Sequence, residues 1–259
     1  MRLTQSAPMD LGDIVSTAWT LCIRHWRPLL AMGVITGLGS LAIQLGETSV
    51  LQRMEPAAGA GLTGRPLPLG LIPLLGLGAV VVLFNQLALI RFGLEVWLGA
   101  GARVRRCYAT TAPLYLPFLA AALIAGVVLS ATMLSIILIP VALYLLVSWF
   151  FIAQICVTEG AQGPLRALGR SRILVRGSWW RTAAILAGLT LLSALPALAV
   201  YTIPTSNLAG SLVLYVIGPS VAAPFLAASQ TLLYLDLRLR KHERVTLAPG
   251  GPAEPLQPR

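Results

Sequence analysis

The most informative feature of the sequence is a run from Cys107 to Thr158 that contains no charged residue and no histidine. A helix rises about 1.5 Å per residue, so about 20 residues cross a hydrocarbon core of about 30 Å. The run is too long for one crossing and has the right length for two. It closes with Trp149, Phe150 and Phe151 before Glu159, which is typical of a helix that reaches the membrane interface. The pattern predicts a transmembrane hairpin.

The hydrophobic pattern of the whole chain predicts an all-α polytopic integral membrane protein with six transmembrane helices. The predicted spans are residues 28–45, 69–98, 113–136, 138–157, 182–201 and 211–235. They form one membrane domain over residues 10–244, between a disordered N-terminus (1–9) and a disordered tail (245–259). The composition agrees, because 57% of the 259 residues are hydrophobic and 11% are charged, whereas soluble domains carry roughly 25% charged residues.

Two or three amphipathic helices are predicted to lie in the plane of the membrane interface. The first follows Asp10, which fits an N-cap, and ends at His25, with Trp19 and Trp26 at the depth of the lipid headgroups. One face of this helix contains Leu11, Ile14, Val15, Ala18, Leu21, Cys22 and His25. The second runs from Pro164 to Arg176. Its apolar face contains Ala167, Leu168, Ser171, Leu174 and Val175.

The basic residues predict the orientation of the chain. Of the 19 lysines and arginines, only Arg53 and Arg65 fall in the loop after span one, and none falls in the loops after spans three and five. The others lie on the opposite side, which the positive-inside rule assigns to the cytoplasm together with both termini. This distribution explains the formal net charge of +10 without a nucleic-acid partner.

Four arginines of the second amphipathic helix are the candidate ligand contacts: Arg166, Arg170, Arg172 and Arg176. A guanidinium group binds phosphate oxygens through two parallel hydrogen bonds, whereas an ammonium offers a point charge. We therefore hypothesise that this helix docks anionic phospholipid headgroups. The alternative is that these arginines only fix the topology, and a membrane protein is a further candidate partner for this face.

Two ion pairs are predicted within the helices. Arg91 and Glu95 are four residues apart at the end of span two and can pair on one face. Asp236 lies at the cytoplasmic end of span six among arginines. We expect Asp236 to form a structural ion pair with one of the four arginines of the second amphipathic helix.

No motif for catalysis, a cofactor or a metal is found in the sequence. The two histidines, His25 and His242, have no acidic or histidine companions at ligand spacing, and Cys22, Cys107 and Cys156 are too scattered for a metal site or a disulfide framework. The polar residues within the spans are amides, which we expect to hold helices together: Gln44, Asn85, Gln86, Gln154 and Gln230. We expect a non-enzymatic protein. The alternative function is a small transporter or channel subunit, whose broken helices the prolines of spans five and six would mark.

Three segments carry a resemblance to a known family: Leu11–Leu30, Glu159–Arg181 and Leu233–Lys241. They resemble the bacterial glycerophosphodiester phosphodiesterase membrane-domain family over nearly the whole chain. The resemblance implies a membrane fold in the bacterial inner membrane. In the members that give the family its name, a soluble catalytic barrel follows such a domain. Because this sequence carries no such barrel, we expect no phosphodiesterase activity.

Overall fold

The computed structural model describes residues 9–54, 72–160, 163–200, 210 and 213–243, and the regular secondary structure in these ranges is helical. The disorder predicted for residues 1–8 and 245–259 falls outside the described residues. The α-helices are α1 (Leu11–Arg24), α2 (Trp26–Met54), α3 (Ile72–Trp97), α4 (Val104–Met133), α5 (Ile139–Ser148), α6 (Ile152–Glu159), α7 (Pro164–Val175), α8 (Trp179–Val200) and α9 (Gly218–Arg240). A 3₁₀ turn (Ile136–Leu138) precedes α5, and a π-helical turn (Val213–Ile217) precedes α9.

Five segments of the described chain are long and apolar enough to cross a membrane. They are Trp26–Glu47, Pro73–Trp97, Val104–Met133, Ile136–Glu159 and Tyr215–Arg240. The 22 residues of α8 form a further apolar helix, in which Arg181 is the only charged residue. The predicted all-α polytopic membrane protein is therefore confirmed.

The helices α2 and α4 are longer than the spans predicted at 28–45 and 113–136. α2 continues through Glu47, predicted in a loop, to Met54, and Leu75 of α3 packs closely against Gly46. α4 begins nine residues before Pro113, which lies inside the helix together with Pro117. A proline at the first turn is common, but membrane helices also tolerate internal proline when neighbouring groups satisfy the freed carbonyls.

The span predicted at 138–157 is two helices, α5 and α6, separated by a turn at Trp149–Phe151. The N–H of Phe151 donates to the hydroxyl of Ser171 in α7, at 3.2 Å. This contact stabilises the break, because an unpaired backbone N–H inside a bundle is costly. Smaller differences occur at the ends of the last two spans: α8 begins at Trp179 and α9 continues to Arg240.

The small residues of α2 provide the closest helix contacts. Gly33 and Gly37 lie against the backbone carbonyls of Ser220 and Val216, where a Cβ on either glycine would collide with the neighbouring chain. The Gly-x-x-x-Gly pair therefore packs α2 against α9 and the turn that precedes it. The helix α2 also packs along α3, and α3 packs against α4 and α6.

Within the described part of the chain, three stretches of eight or nine residues are buried without interruption: residues 87–95 of α3, residues 151–158 in and just before α6, and residues 231–238 of α9. A helix segment that is buried on every side forms the centre of a bundle. These stretches contain charged side chains as well as apolar ones. The core of the protein therefore includes the groups from which a functional site can be built.

Candidate functional site at the basic end of the bundle

One end of the bundle gathers most of the charged side chains, and we call it the basic end. It comprises α1 with Met9, the α3–α4 turn, α7, the start of α8 and the end of α9. Hydrogen bonds and ion pairs connect these parts: Asp236 of α9 contacts Met9 and α8, Arg170 of α7 contacts Glu243, and Cys107 of α4 contacts α3. The charged groups at this end fall into three buried or half-buried clusters and an exposed set.

The first cluster is centred on Asp236, which is 5% exposed. Its carboxylate lies 2.9 Å from Arg181 Nη1 and 2.9 Å from Arg240 Nε, and it accepts the backbone N–H of Met9 at 3.1 Å. The predicted ion pair therefore exists, but its predicted partners in α7 were wrong. Asp236 faces α1 and α8, whereas Arg170 of α7 pairs with Glu159 and Glu243.

Met9 is part of this first cluster and is buried at 6% exposure, although disorder was predicted for it. Its N–H donates to Asp236, and its carbonyl accepts a hydrogen bond from Arg181 Nη2. Asp10 follows as the predicted N-cap of α1, and its N–H donates to Asp13 Oδ2 at 3.2 Å. The disorder predicted for Met9 is therefore wrong, because the buried Asp236 and the half-buried Arg181 bind its backbone.

The second cluster is a ring of two arginines and two glutamates that joins α6, α7 and α9. Arg238 lies 3.2 Å from Glu159 and 3.2 Å from Glu243, and Arg170 lies 3.0 Å from Glu159 and also pairs with Glu243. Although burial opposes the shift, hydrogen bonding and charge from Arg170 hold the pKa of Glu243 below its usual value. Glu243 in turn raises the pKa of Arg170.

A line of hydroxyl groups continues from this ring into the bundle. Arg238 Nη1 donates to the Tyr234 hydroxyl at 2.8 Å, and that hydroxyl lies 2.7 Å from Thr158 Oγ1. In the sequence, Glu159 and Arg238 each follow the end of a predicted span by two or three residues. Their pairing was not predicted because it joins residues far apart in the chain.

The third cluster contains the predicted pair in α3, which the structure confirms. Arg91 Nε lies 3.0 Å from Glu95 Oε1, and both side chains are 1% exposed. The thiol of Cys107 donates to Glu95 Oε2 at 3.6 Å. The two terminal nitrogens of Arg91 and the Oε1 of Gln154 are buried without a hydrogen-bond partner among the described residues.

The amides of the spans connect helices, as predicted for Asn85, Gln86 and Gln230. Asn85 Nδ2 donates to the carbonyl of Met32 at 2.8 Å and to Thr36 at 2.6 Å. The hydroxyl of Tyr108 donates to Asn85 Oδ1. Gln86 Nε2 donates to Gln230 Oε1 at 3.3 Å. These bonds join α2, α3, α4 and α9.

The four arginines predicted as lipid contacts occupy different surroundings in the structure. Arg166 and Arg176 are exposed and have no ion pair among the described residues. Arg172 is exposed, with its guanidinium carbon 5.8 Å from the centre of the Tyr144 ring. Arg170 is half-buried in the ring of ion pairs. The predicted apolar face of α7 is confirmed, because Ala167, Leu168, Ser171, Leu174 and Val175 are all buried.

Exposed tryptophans accompany the exposed arginines. Trp19 and Trp26 of α1 and α2 are 57% and 55% exposed, and Trp180 at the start of α8 is 81% exposed. Arg27 stacks over the Trp26 ring at 5.4 Å. Tryptophan is enriched in membrane proteins at the membrane–water interface. The exposed tryptophans and arginines therefore have the composition of a protein surface that lies beside lipid headgroups.

The described residues contain no group of three His, Cys, Asp or Glu side chains placed to hold a metal ion. His25 packs edge-on against the Phe92 ring at 6.3 Å. The three cysteines are free thiols, and burial raises the pKa of Cys22 to about 11, which keeps this thiol protonated near neutral pH. The basic end therefore combines ion pairs that join helices with exposed guanidinium groups that can bind an anion.

Comparisons of the chain with protein-family models, with characterised proteins and with solved structures find no match. The resemblance to the glycerophosphodiester phosphodiesterase membrane-domain family stays a prediction.

Proposed function

We propose that the protein is a non-enzymatic protein of the bacterial inner membrane that docks anionic phospholipid headgroups through α7. One observation carries the proposal: Arg166 and Arg172 of α7, and Arg176 directly after it, are exposed and lack acidic partners among the described residues, while the opposite face of α7 is buried in the bundle. The packed face fixes the helix, and the basic face is left available for an external anion.

The energetics of a membrane surface support this assignment. Each basic residue near an anionic surface contributes about 1 kcal/mol, and the attraction decays over a Debye length of about 8 Å at physiological salt. Three arginines on and directly after one short helix therefore give an attraction of a few kcal/mol. Arg170 was included in the sequence-based hypothesis, but its two glutamate partners favour a structural role, so we propose the other three as the contacts.

The test compares lipid retention by matched variants. The triple variant Arg166→Gln/Arg172→Gln/Arg176→Gln is purified in mild detergent beside the parent, and bound lipid is quantified by native mass spectrometry. We expect the triple variant to lose most of its phosphatidylglycerol and cardiolipin. The corresponding triple Arg→Lys variant retains the charge but not the paired hydrogen bonds, and it should fall between the two.

The control for this test is Arg170→Gln, which removes one charge from the same helix. We expect it to lower thermal stability and to leave lipid retention close to that of the parent. Equal retention of anionic lipid by the parent and the triple Gln variant would mean that the arginines only fix the topology.

The orientation of the chain is part of the proposal. We propose that the basic end faces the cytoplasm, with both termini on that side, and the uneven distribution of arginine supports this. An alkaline phosphatase fusion after Ala58 should be active, and a fusion after Gly169 should be inactive. The reverse pattern would contradict the orientation.

A small transporter is the second candidate, and one observation favours it. Arg91 lies inside the bundle with two terminal nitrogens that lack a partner among the described residues. Ionisable groups within membrane helices often mark a substrate path. Uptake of labelled inorganic or organic anions into proteoliposomes, lost in Arg91→Lys, would support transport. Lipid-selective binding without flux would support docking.

A further inference from the structure

The turn between α3 and α4 forms an open pocket that has no assigned role. Its volume is about 630 Å³, and its lining comprises Ala100, Gly101, Arg103, Arg105, Arg106 and Ala109. Pockets of roughly 300–1,000 Å³ are the usual size of small-ligand sites. The pocket contains part of the first turn of α4, so it lies where a membrane-spanning segment begins.

The charge of the pocket is entirely positive. Arg103 and Arg105 are exposed, Arg106 is half-buried, and none of the three has an ion pair among the described residues. The pocket lining contains no acidic side chain. Three guanidinium groups that line one pocket repel one another, and an anion bound between them would offset that repulsion.

The backbone adds to this positive character. Gly99 and Gly101 have positive φ values of 70° and 67°, which turn the chain tightly from α3 into α4. Arg103 occupies the N-cap position of α4 in extended conformation, and no side chain of the described residues caps the helix. The first N–H groups of a helix have no partner within it and carry part of the helix dipole. These amides and the three arginines lie in the same turn.

We propose that this pocket binds a phosphate group. Guanidinium forks match phosphate oxygens through paired hydrogen bonds, and a doubly charged phosphate monoester can accept bonds from several arginines at once. The pocket is open enough for a group larger than a single phosphate. The phosphate can belong to a lipid headgroup or to a soluble phosphate compound, because the pocket lies at the boundary between membrane and water.

This inference depends on the proposed function only in placing the basic end at a membrane surface. The pocket and α7 use different arginines, so each can fail without the other. Two variants that remove the same charge therefore separate them: Arg103→Gln/Arg105→Gln/Arg106→Gln in the pocket, and Arg166→Gln/Arg172→Gln/Arg176→Gln in α7.

The first arm of the test uses a soluble probe. Binding of pyrophosphate to the purified full-length protein is measured by calorimetry and by the rise in melting temperature, because a ligand specific for the folded state stabilises it. We expect the pocket variant to bind at least ~10-fold more weakly than the parent, as for the loss of charge-assisted hydrogen bonds. The α7 variant should bind as the parent does.

The second arm uses a lipid probe. The three proteins are placed in nanodiscs of phosphatidylcholine with a few per cent phosphatidic acid, and retained phosphatidic acid is quantified after extraction. Retention that depends on the pocket arginines, without pyrophosphate binding, supports a lipid headgroup as the ligand. Pyrophosphate binding without such retention supports a soluble phosphate compound.

A triple Arg→Lys variant of the pocket guards against a general effect of charge. It should bind either probe more weakly than the parent and more strongly than the Gln variant. The proposal is overturned if the pocket and α7 variants weaken both probes equally, since that would show unspecific attraction to the basic end. Absence of both kinds of binding in the parent also overturns it.

Discussion

The basic end contains two kinds of arginine, buried ones that pair with glutamate and exposed ones that do not. Arg91 and Arg238 are buried, and each lies 3.0–3.2 Å from a glutamate. Arg166 and Arg176 are exposed, and no acidic residue in the described chain pairs with them. The same side chain therefore serves to join helices in one place and remains free in another. Burial and the presence of a carboxylate distinguish the two roles.

The energetic consequences of the two roles are opposite. Removing a buried partner leaves an uncompensated charge, which costs about 3–5 kcal/mol in protein interiors. Removing an exposed charge usually changes stability by less than about 0.5 kcal/mol. Substitutions in the buried set should therefore affect stability, whereas substitutions in the exposed set should affect the binding of anions.

The largest effect is expected for Arg91→Leu. This change leaves Glu95 buried, and among the described residues the Cys107 thiol is then the remaining side-chain hydrogen-bond partner of its carboxylate. We expect a loss of about 3–5 kcal/mol, reduced to the extent that Glu95 takes up a proton. The measurement is reversible unfolding of the purified protein in detergent, compared with Arg166→Leu, which should be near neutral.

The double variant Arg91→Leu/Glu95→Leu provides the stricter test of this pair. Replacing both members of a buried pair by apolar groups is often neutral or stabilising, so the double variant should recover most of the stability lost in Arg91→Leu. If Arg91→Leu is as stable as the parent, the pair has no role in joining the helices.

A smaller loss is expected for Asp236→Asn, which weakens the pairs with Arg181 and Arg240 and the bond from the Met9 N–H. Because both arginines are partly exposed, water can solvate them after the change. We expect a loss of about 2 kcal/mol, between the values for buried and for surface pairs. An unchanged melting temperature in detergent would show that these contacts do not stabilise the fold.

Periodicity predicted the membrane class, the buried face of α7 and the Arg91–Glu95 pair. All three depend on residues close together in the sequence, where the helical repeat fixes which side chains share a face. Arg53 and Arg65 served the prediction of topology, but their side chains lie outside the described ones. The sequence pattern of a single helix therefore predicts the features that depend on that helix alone.

The partners of Asp236 and the break between α5 and α6 were beyond this kind of prediction. Asp236 pairs with Arg181, 55 residues away, because α8 and α9 pack together. The turn at Trp149–Phe151 contains no glycine or proline that would predict it, and the hydroxyl of Ser171 in α7 stabilises it. Both depend on tertiary packing, which no periodicity within one segment encodes.

The break itself provides the next prediction. Ser171→Ala removes the acceptor of the Phe151 N–H and leaves a buried backbone donor unpaired. We expect a loss of about 1–2 kcal/mol, the usual range for an unsatisfied buried group. The matched control is Ser16→Ala, because Ser16 is exposed and its hydroxyl donates to the backbone carbonyl of Asp13 in its own helix. Equal losses in the two variants would mean that the α7 hydroxyl does not support the break.

The smallest effect concerns pH and the ring of ion pairs. Arg170 holds the pKa of Glu243 below its ordinary value of about 4.3. A carboxyl group with a lowered folded pKa stabilises the fold above its unfolded pKa, and this contribution is lost as the pH falls through the folded pKa. The melting temperature of the parent should therefore fall further between about pH 5 and pH 3 than that of Glu243→Gln.

The difference between the melting temperatures of the two proteins isolates the contribution of Glu243, because the other carboxylates titrate in both proteins. We expect well under about 1 kcal/mol, since the group is partly exposed and solvent screens it. Parallel curves over this pH range would show that the ring does not stabilise the fold through Glu243.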